Sequence, residues 1–423
     1  MPDQTPIKDL FPLCDDIARK TGFMIRSRKI TAARFLHALV RSCFENAVSF
    51  RLIALNFTIL TSIRISKQAI AQRMTLQCLE FVRHVLSALI SRLSAPDKGQ
   101  LQGLFSSFSR VLLQDSTQIK LPGHLATLFP GPTNQSRKKT AAIKIHVIHD
   151  LMGQRFVDLR LSSFTRTDQS ASNDVLAVAK PGDLVVRDLG YFSTPVFRKM
   201  IERGVHFLSR LRNNVTILDP GTLEPIDLKK KLRFCGALDQ NVLLGAKERL
   251  PVRLTALPVP PPVANQRRRK AKTNRDKRLN PSKDRLQLLG WDIYVTSVQD
   301  SIWSLTDVQQ VYRLRWRIEI IFKSWKTHFN LPRTATGSAI QVEVLILAKL
   351  LAICLFYNMM GWLDLMYFKP LSILKCAQFF TMLLKMSMNG PGFKTLSLDA
   401  LAIHLELETR KRPQYSPVHR LLS

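Results

Sequence analysis

Three carboxylates of this 423-residue chain stand where an acid is either costly or placed for chemistry. Asp115 lies inside the apolar run RVLLQDSTQIKLP, near Leu112, Leu113 and Ile119. A charge within an apolar strand is unfavourable unless it is paired or binds a metal. Asp188 ends the run LVVRD and is followed by Gly190, Tyr191 and Phe192. Strand ends beside a glycine turn are where α/β folds place their sites. Glu319 is the only acid between Tyr312 and Lys326, among five Arg and Lys in that stretch. On a continuous helix, at about 100° per residue, Tyr312, Arg315, Glu319 and Lys326 share a stripe roughly 60° wide. An ordinary Arg315–Glu319 ion pair would explain two of the four but not the tyrosine and lysine aligned with them. Taken alone, Asp115 or Asp188 also fits a capped structural residue. Asp183, in the Pro181-Gly182 turn, reads as a turn residue.

Three carboxylates brought together cannot all stay ionised without compensating charge. Oxygen-only ligands favour Mg2+ or Mn2+ over Zn2+. Two such ions would activate a water or a 3′-hydroxyl and stabilise the leaving oxygen of an in-line phosphoryl transfer. The charge of the chain suits a phosphate substrate: 63 Lys and Arg against 31 acids give a formal +32. Nucleic acid is the first partner this implies, through counterion release, and an anionic membrane surface is the second. With 46% hydrophobic residues, wholesale disorder is excluded.

Competing chemistries find little support. The cysteines (Cys14, Cys43, Cys78, Cys235, Cys354, Cys376) are scattered without metal-knuckle spacing and read as reduced thiols of a cytosolic protein. The opening MPDQTPIKDLFPLCDD has acids where a signal peptide carries basic residues. The apolar stretch from Val344 to Phe368 is interrupted by Lys349, Asn358 and Asp364, and reads as a buried helix rather than a membrane span. His146 and His149 fall on opposite faces of a predicted strand. There is no HExxH, P-loop or nucleophile elbow.

The elements that must position these groups follow from periodicity. Residues 1–105 read as helical, with apolar residues at three- and four-residue steps. Within them Ser66 caps a predicted short helix from Lys67 to about Met74, whose Lys67, Gln68, Gln72 and Arg73 face outward. Arg and Gln on such a helix can read base edges in a major groove, although an ordinary surface helix fits too. From about residue 110 three consecutive strands are predicted, then a helix at SASNDVLAVAK, the LVVRD strand, a helix opened by Pro195, and the strand VHFLSRLR. Residues 212–300 interrupt this alternation. Inside them, residues 264–285 carry ten Lys or Arg against two Asp, a quarter of the net charge. Without periodicity this segment reads as a flexible, phosphate-tracking arm that includes Arg267, Arg268, Arg269 and Lys270. A strand at LLGWDIYVTSV, one long helix from about Thr306 to Phe329, and apolar helices over 340–405 complete the chain.

The series Tyr312-x2-Arg315-x3-Glu319-x6-Lys326 resembles the YREK signature of bacterial insertion-sequence DDE transposases of the insertion sequence four type. Asp115-Ser116-Thr117 and Asp188-Leu189-Gly190-Tyr191-Phe192 resemble that family's first and second aspartate motifs, and the likeness spans about residues 108 to 335. It implies an α/β, ribonuclease-H-like mixed sheet with a mostly β insertion at about 212–300. The catalytic domain would occupy 106–335, between a helical DNA-end-binding domain at 1–105 and a helical C-terminal region at 336–423 suited to dimerisation. Asp115, Asp188 and Glu319 would bind two Mg2+ or Mn2+ ions. Tyr312, Arg315 and Lys326 would contact phosphates near the cut end. Trp291 resembles a tryptophan that stacks on a flipped base in relatives that cut through a hairpin, although a core role fits it as well. Trp303, Trp316 and Trp325 read as packing residues. The Asp-Ser-Thr sequence differs from the Asp-Asp-Thr of some relatives, which leaves the ligand intact and the hairpin route open. The implied activity is cut-and-paste transposition by a cytoplasmic bacterial enzyme. It would act on the inverted repeats of its own element and on target DNA, as a homodimer in the DNA complex and without a membrane. A different ribonuclease-H-like nuclease and an inactive DNA-binding derivative are the alternatives.

Overall fold

The β-branched runs fold as strands and the amphipathic stretches as helices in the structure, a computed structural model that describes residues 10–24, 30–45, 48–92, 102–133, 139–273, 281–333, 337–366, 371–386 and 405. Five helices come first: α1 (Leu10–Lys20), α2 (Ala32–Ser42), α3 (Phe50–Thr61), α4 (Lys67–Ala71) and α5 (Leu76–Arg92). The strands β1 (Val111–Leu121), β2 (Ala141–Asp150) and β3 (Arg155–Ser163) follow. The helix expected at SASNDVLAVAK is a 3-10 helix over Ser170–Ala177. Next come β4 (Leu184–Arg187), α6 (Thr194–Glu202), β5 (His206–Arg210), β6 (Ile217–Leu218), α7 (Leu228–Phe234), β7 (Leu238–Leu244) and β8 (Leu250–Pro258). The chain continues through α8 (Pro261–Lys272), α9 (Lys283–Leu288), β9 (Trp291–Thr296), α10 (Leu305–Arg313), α11 (Trp316–Thr327), α12 (Ala339–Met366) and α13 (Ile373–Met386).

The sheet has nine strands in the order β3-β2-β1-β4-β5-β9-β8-β7-β6. β4 runs parallel to β1, β5 parallel to β4, and β2 antiparallel to β3. The order 3-2-1-4-5 with this mixture of directions is the ribonuclease-H-like arrangement. The insertion after β5 adds β6, β7 and β8, joined to the sheet through β9, together with α7, α8 and α9. β1 is buried on both faces from Val111 to Gln114, as parallel strands are, and alternates only after Thr117.

The chain divides into two compact units. One holds α1–α5, β2, β3, the second half of β1, and nearly all of α11 through α13. Its core is α12, which packs on α2, α5 and β3. By length and composition α12 could cross a membrane, but 72% of its apolar window is buried, as in a core helix. Lys349, the charge that interrupts it, is buried and donates to the carbonyls of Asn330 at 2.7 Å and Arg333 at 2.6 Å. On β2, His149 packs edge-on against Phe156 and Tyr357, with neither ring nitrogen hydrogen-bonded. His146 is also buried, with Nε2 3.0 Å from Ser162 Oγ.

The other unit holds the first half of β1 and everything from the 3-10 helix to α10. Asp183 is more than a turn residue there: it is fully buried and accepts Arg110 Nε at 2.9 Å and Nη2 at 2.5 Å. This pair fastens the start of β4 to the start of β1, whose alignment sets the site described below. Pro195 lies in the first turn of α6 as expected, and a Ser304–Asp307 capping box opens α10.

Two further expectations are corrected. The segment 264–285 is not an arm without structure up to Lys272, because Pro260, Pro261 and Pro262 initiate α8. A second helix, α9, resumes at Lys283, and residues 274–280 lie outside the described residues. The single helix over 306–329 is two helices, α10 and α11, with a tight turn at Leu314 and Arg315. The basic run hides no apolar stripe for periodicity to find, and the helix break carries no glycine or proline to announce it.

Burial, and then the nearby Arg317, lower the His149 pKa to about 3. Below the ordinary value of 6.5 the unfolded chain therefore binds a proton that the folded chain refuses. Stability from this site is complete above about pH 6.5 and falls as the pH drops toward 3. In denaturant titrations His149→Phe should flatten that decline, changing the pH 7-to-5 stability difference by about 2 kcal/mol. An unchanged slope would show that His149 is not the buried acid-sensitive group.

Candidate active site

The two aspartates meet because of strand register. Gln114 of β1 pairs with Arg187 of β4, so the next residues, Asp115 and Asp188, leave adjacent parallel strands on the same face. Asp188 has just left its strand and caps the following 3-10 turn, accepting the Gly190 amide at 3.2 Å. Asp168 crowds this turn, since a Cβ at Gly190 would stand 3.0 Å from its Oδ2. Beneath, Arg187 is fully buried, donates to Ser172, and lies against the rings of Tyr191 and Phe197.

Arg315 joins the pair. Its Nη1 is 3.3 Å from Asp115 Oδ2 and 3.5 Å from Asp188 Oδ1. Both oxygens touch one nitrogen, so they are at most about 7 Å apart. The helix break supplies this placement. The Arg315 amide bonds to the Tyr312 carbonyl at 3.1 Å in a tightened turn between α10 and α11. Arg315 is therefore a junction residue, and the uniform stripe inferred from a continuous helix does not extend across it.

A second cluster holds α10. Asp292, on β9 and buried, accepts Arg210 at 3.4 Å, Arg267 at 2.8 Å and Gln309 at 3.1 Å. These donors come from β5, α8 and α10. The Arg210 guanidinium lies 5.4 Å from the centre of the Tyr312 ring, and Tyr294 packs 4.8 Å away on it. Burial opposes the Arg210 charge, but Tyr312, Tyr294 and Asp292 outweigh it and raise its pKa. Tyr312 is itself buried and its hydroxyl has no partner. Burial raises its pKa, against the pull of Arg315 and Arg210, so the hydroxyl keeps its proton.

The remaining candidates lie on other elements. Glu319 is half-buried in the first turn of α11, in the other unit, and Lys326 is exposed in its last turn. Trp291 is half-buried at the start of β9, paired with Pro258, and its carbonyl accepts from Arg267 at 3.4 Å. Arg267 and Arg268 serve internal contacts, Arg268 donating to Leu286 O at 3.0 Å, whereas Arg269 and Lys270 are exposed. On α4, Ser66 caps as expected, but the helix ends at Ala71. Lys67, Gln68 and Gln72 are exposed, while Arg73 is half-buried and turns back to the Ala69 carbonyl at 2.6 Å. Trp303 and Trp325 are fully buried, but Trp316 is 45% exposed and is not a packing residue. Sequence reasoning missed Asp292, Arg210 and Asp168. Asp292 carried the same signal as Asp115, an acid in an apolar strand.

The donor set at Asp115 and Asp188 is all oxygen, the chemistry of a hard divalent cation. A single guanidinium carries half the charge of the pair it bridges. Among the described residues no three His, Cys, Asp or Glu side chains are gathered around one point to hold a metal. The site thus fits such an ion through two carboxylates.

Residues 106–355 match the family described as "Transposase DDE domain". The chain is 27% identical to the transposase of insertion sequence element IS231C from Bacillus thuringiensis subsp. berliner, over 81% of this chain and 75% of that protein. It is 24% identical to the transposase of IS1151 from Clostridium perfringens, over 82% and 78% of the two chains. Among solved structures, a piggyBac transposase synaptic complex with hairpin DNA aligns over 99% of this chain and 82% of that one, with 12% identity and a TM-score of 0.45.

Arg315→Ala should leave two facing carboxylates and lower stability by about 1 kcal/mol. Millimolar Mg2+ should then raise the melting temperature of the variant more than that of the wild type. Equal shifts would mean that Arg315 does not compensate the pair.

Proposed function

The chain belongs to the transposase DDE domain family, and we propose that it cuts the terminal inverted repeats of its own insertion sequence and joins the freed 3′-hydroxyls to target DNA. The observation that carries this is the pair Asp115 and Asp188, placed side by side by register and bridged by Arg315. The motif spacing supports Glu319 as the third carboxylate and membership of the YREK group. Together the three would hold two Mg2+ or Mn2+ ions, which when bound activate the attacking oxygen and stabilise the leaving one.

The roles of the chain's own groups follow from their chemistry. Asp115 and Asp188 offer oxygen donors beside the guanidinium of Arg315. Arg315 is suited to exchange a carboxylate for a phosphate oxygen, because its planar fork matches either. Tyr312 keeps a neutral hydroxyl that can donate to a phosphate, and Lys326 offers an exposed charge on the same signature. Lys67, Gln68, Gln72 and Arg73 would help read the element end, and Arg267, Arg268, Arg269 and Lys270 belong to a helix that serves DNA through its exposed members. Trp291 is assigned to stacking on a base near the cut. Joining two ends calls for two active sites, hence a homodimer in the DNA complex. The enzyme would work in the bacterial cytoplasm on double-stranded DNA, without a membrane, in a cut-and-paste reaction.

Asp115→Asn, Asp188→Asn and Glu319→Gln are each expected to slow Mg2+-dependent cleavage of end-bearing duplex more than ~100-fold, about 2.7 kcal/mol of barrier. Gel assays on duplexes from the DNA flanking the reading frame would show it. Normal cutting by all three variants would remove the assignment. Cutting without preference for inverted repeats would point to another ribonuclease-H-like nuclease, and binding without any cutting by the wild type to an inactive derivative.

A further inference from the structure

The three short helices of the insertion are assembled by some of their cations and present the others to solvent. Lys229 of α7 pairs with Asp284 of α9 at 2.7 Å, and Gln287 of α9 donates to the Lys229 carbonyl at 3.2 Å. Arg268 of α8 donates to Leu286 of α9 at 3.0 Å, and Lys231 donates to Gln240 of β7. Among the described residues of these helices and their caps the acids are engaged as well: Asp227 caps α7 and Asp284 holds Lys229. Facing out are Lys230 and Arg233 of α7, Arg269 of α8, and Lys283 and Arg285 of α9. On α7 Phe234 is 89% exposed, the most exposed of the large hydrophobic side chains among the described residues. Lys230, Arg233 and Phe234 are spaced i, i+3 and i+4, so they share one face of α7.

We propose that this face of α7, α8 and α9 is a docking surface for the element-end duplex, its cations on the phosphates and Phe234 in the minor groove. Exposed cations on these linked helices, with an exposed aromatic ring beside two of them on α7, match a polyanion whose groove is lined by apolar sugar and base surface. The occupant is the end that is cut, because α8 is tied through Arg267 and Asp292 to Gln309 of α10, which leads into Arg315. The proposal rests on the reading of the chain as a transposase and names a contact surface that this reading leaves open. Neither Phe234 nor α7 carries a signal in sequence, because LKKKLRF reads as a solvated basic run.

The test is equilibrium binding of the full-length protein to a fluorescent duplex carrying an inverted repeat, by anisotropy across a salt series. It reads association rather than strand breakage, so it stands apart from whether Asp115 and Asp188 act. Lys230→Gln/Arg233→Gln/Arg285→Gln should reduce the slope of log affinity against log salt by about 2 to 3. Phe234→Ala should lower affinity about 10-fold at each salt concentration with the slope unchanged. Circular dichroism melts establish that both variants fold, and the single Phe234→Ala keeps the proposal falsifiable if the triple variant does not. Wild-type slope and affinity in the folded variants would overturn it. So would loss of binding to anionic phosphatidylserine vesicles, or loss of self-association, with duplex binding intact.

Discussion

Two carboxylates side by side on adjacent strands constrain the rest of the unit that holds them. The parallel register that places Asp115 next to Asp188 is fixed far from both, by the buried Arg110–Asp183 pair and by apolar runs that tolerate no slip. Once placed, the two charges repel, and the fold must bring a cation to them. Arg315 is that cation in the structure. A guanidinium is an apt choice because it cannot discharge by losing a proton, whereas a lysine there could. The arrangement favours further positive charge or an incoming phosphate, which would draw Arg315 toward itself.

Arg315 stands where the helix breaks. A continuous helix would carry Arg315 on the same stripe as Glu319, but the tightened turn after Tyr312 redirects the chain and starts α11 afresh at Trp316. The break leaves Trp316 exposed beside Arg315. It also makes α10 short, so its position depends on contacts rather than on length. Asp292 supplies them by gathering donors from β5, α8 and α10 onto one buried carboxylate. Removing either side of such a cluster would strand charge in a poorly solvated place, so the basic helix of the insertion and the helix that leads to the site are held as one piece.

Where a rule of period or polarity applied directly, the sequence was enough. The strands β1 to β5, the cap at Ser66, the proline-opened α6 and the apolar α12 were legible because burial and capping leave a residue pattern. The two aspartates were legible because an acid in or at the end of an apolar strand violates that pattern. Asp292 violates it equally, within WDIYV, and escaped notice because no family motif drew attention to it. The helix break at Arg315 was hidden, since no residue there is a breaker and the partners of Arg315 lie 200 and 127 positions earlier. The basic segment was misjudged for a related reason. A helix such as α8, with Ala264 its one buried residue, shows no apolar stripe, and prolines that usually signal disorder act there as initiators.

The distribution of charge shows why net charge is a poor guide to where a polyanion sits. The formal +32 treats all cations alike. In the folded chain Arg110, Arg253, Arg267 and Lys349 hold strands, helices and loop carbonyls together, and Arg187 lies buried under the site. Their charge is compensated or too deep to attract a phosphate at contact distance. Some of the cations left outward belong to the short, apolar-poor helices α7 to α9, among them Lys230, Arg233, Arg269, Lys283 and Arg285. A surface of this kind does not have to be rich in charge overall. It requires that the acids within it be engaged internally, as Asp227 and Asp284 are, so that its field is positive where DNA would lie.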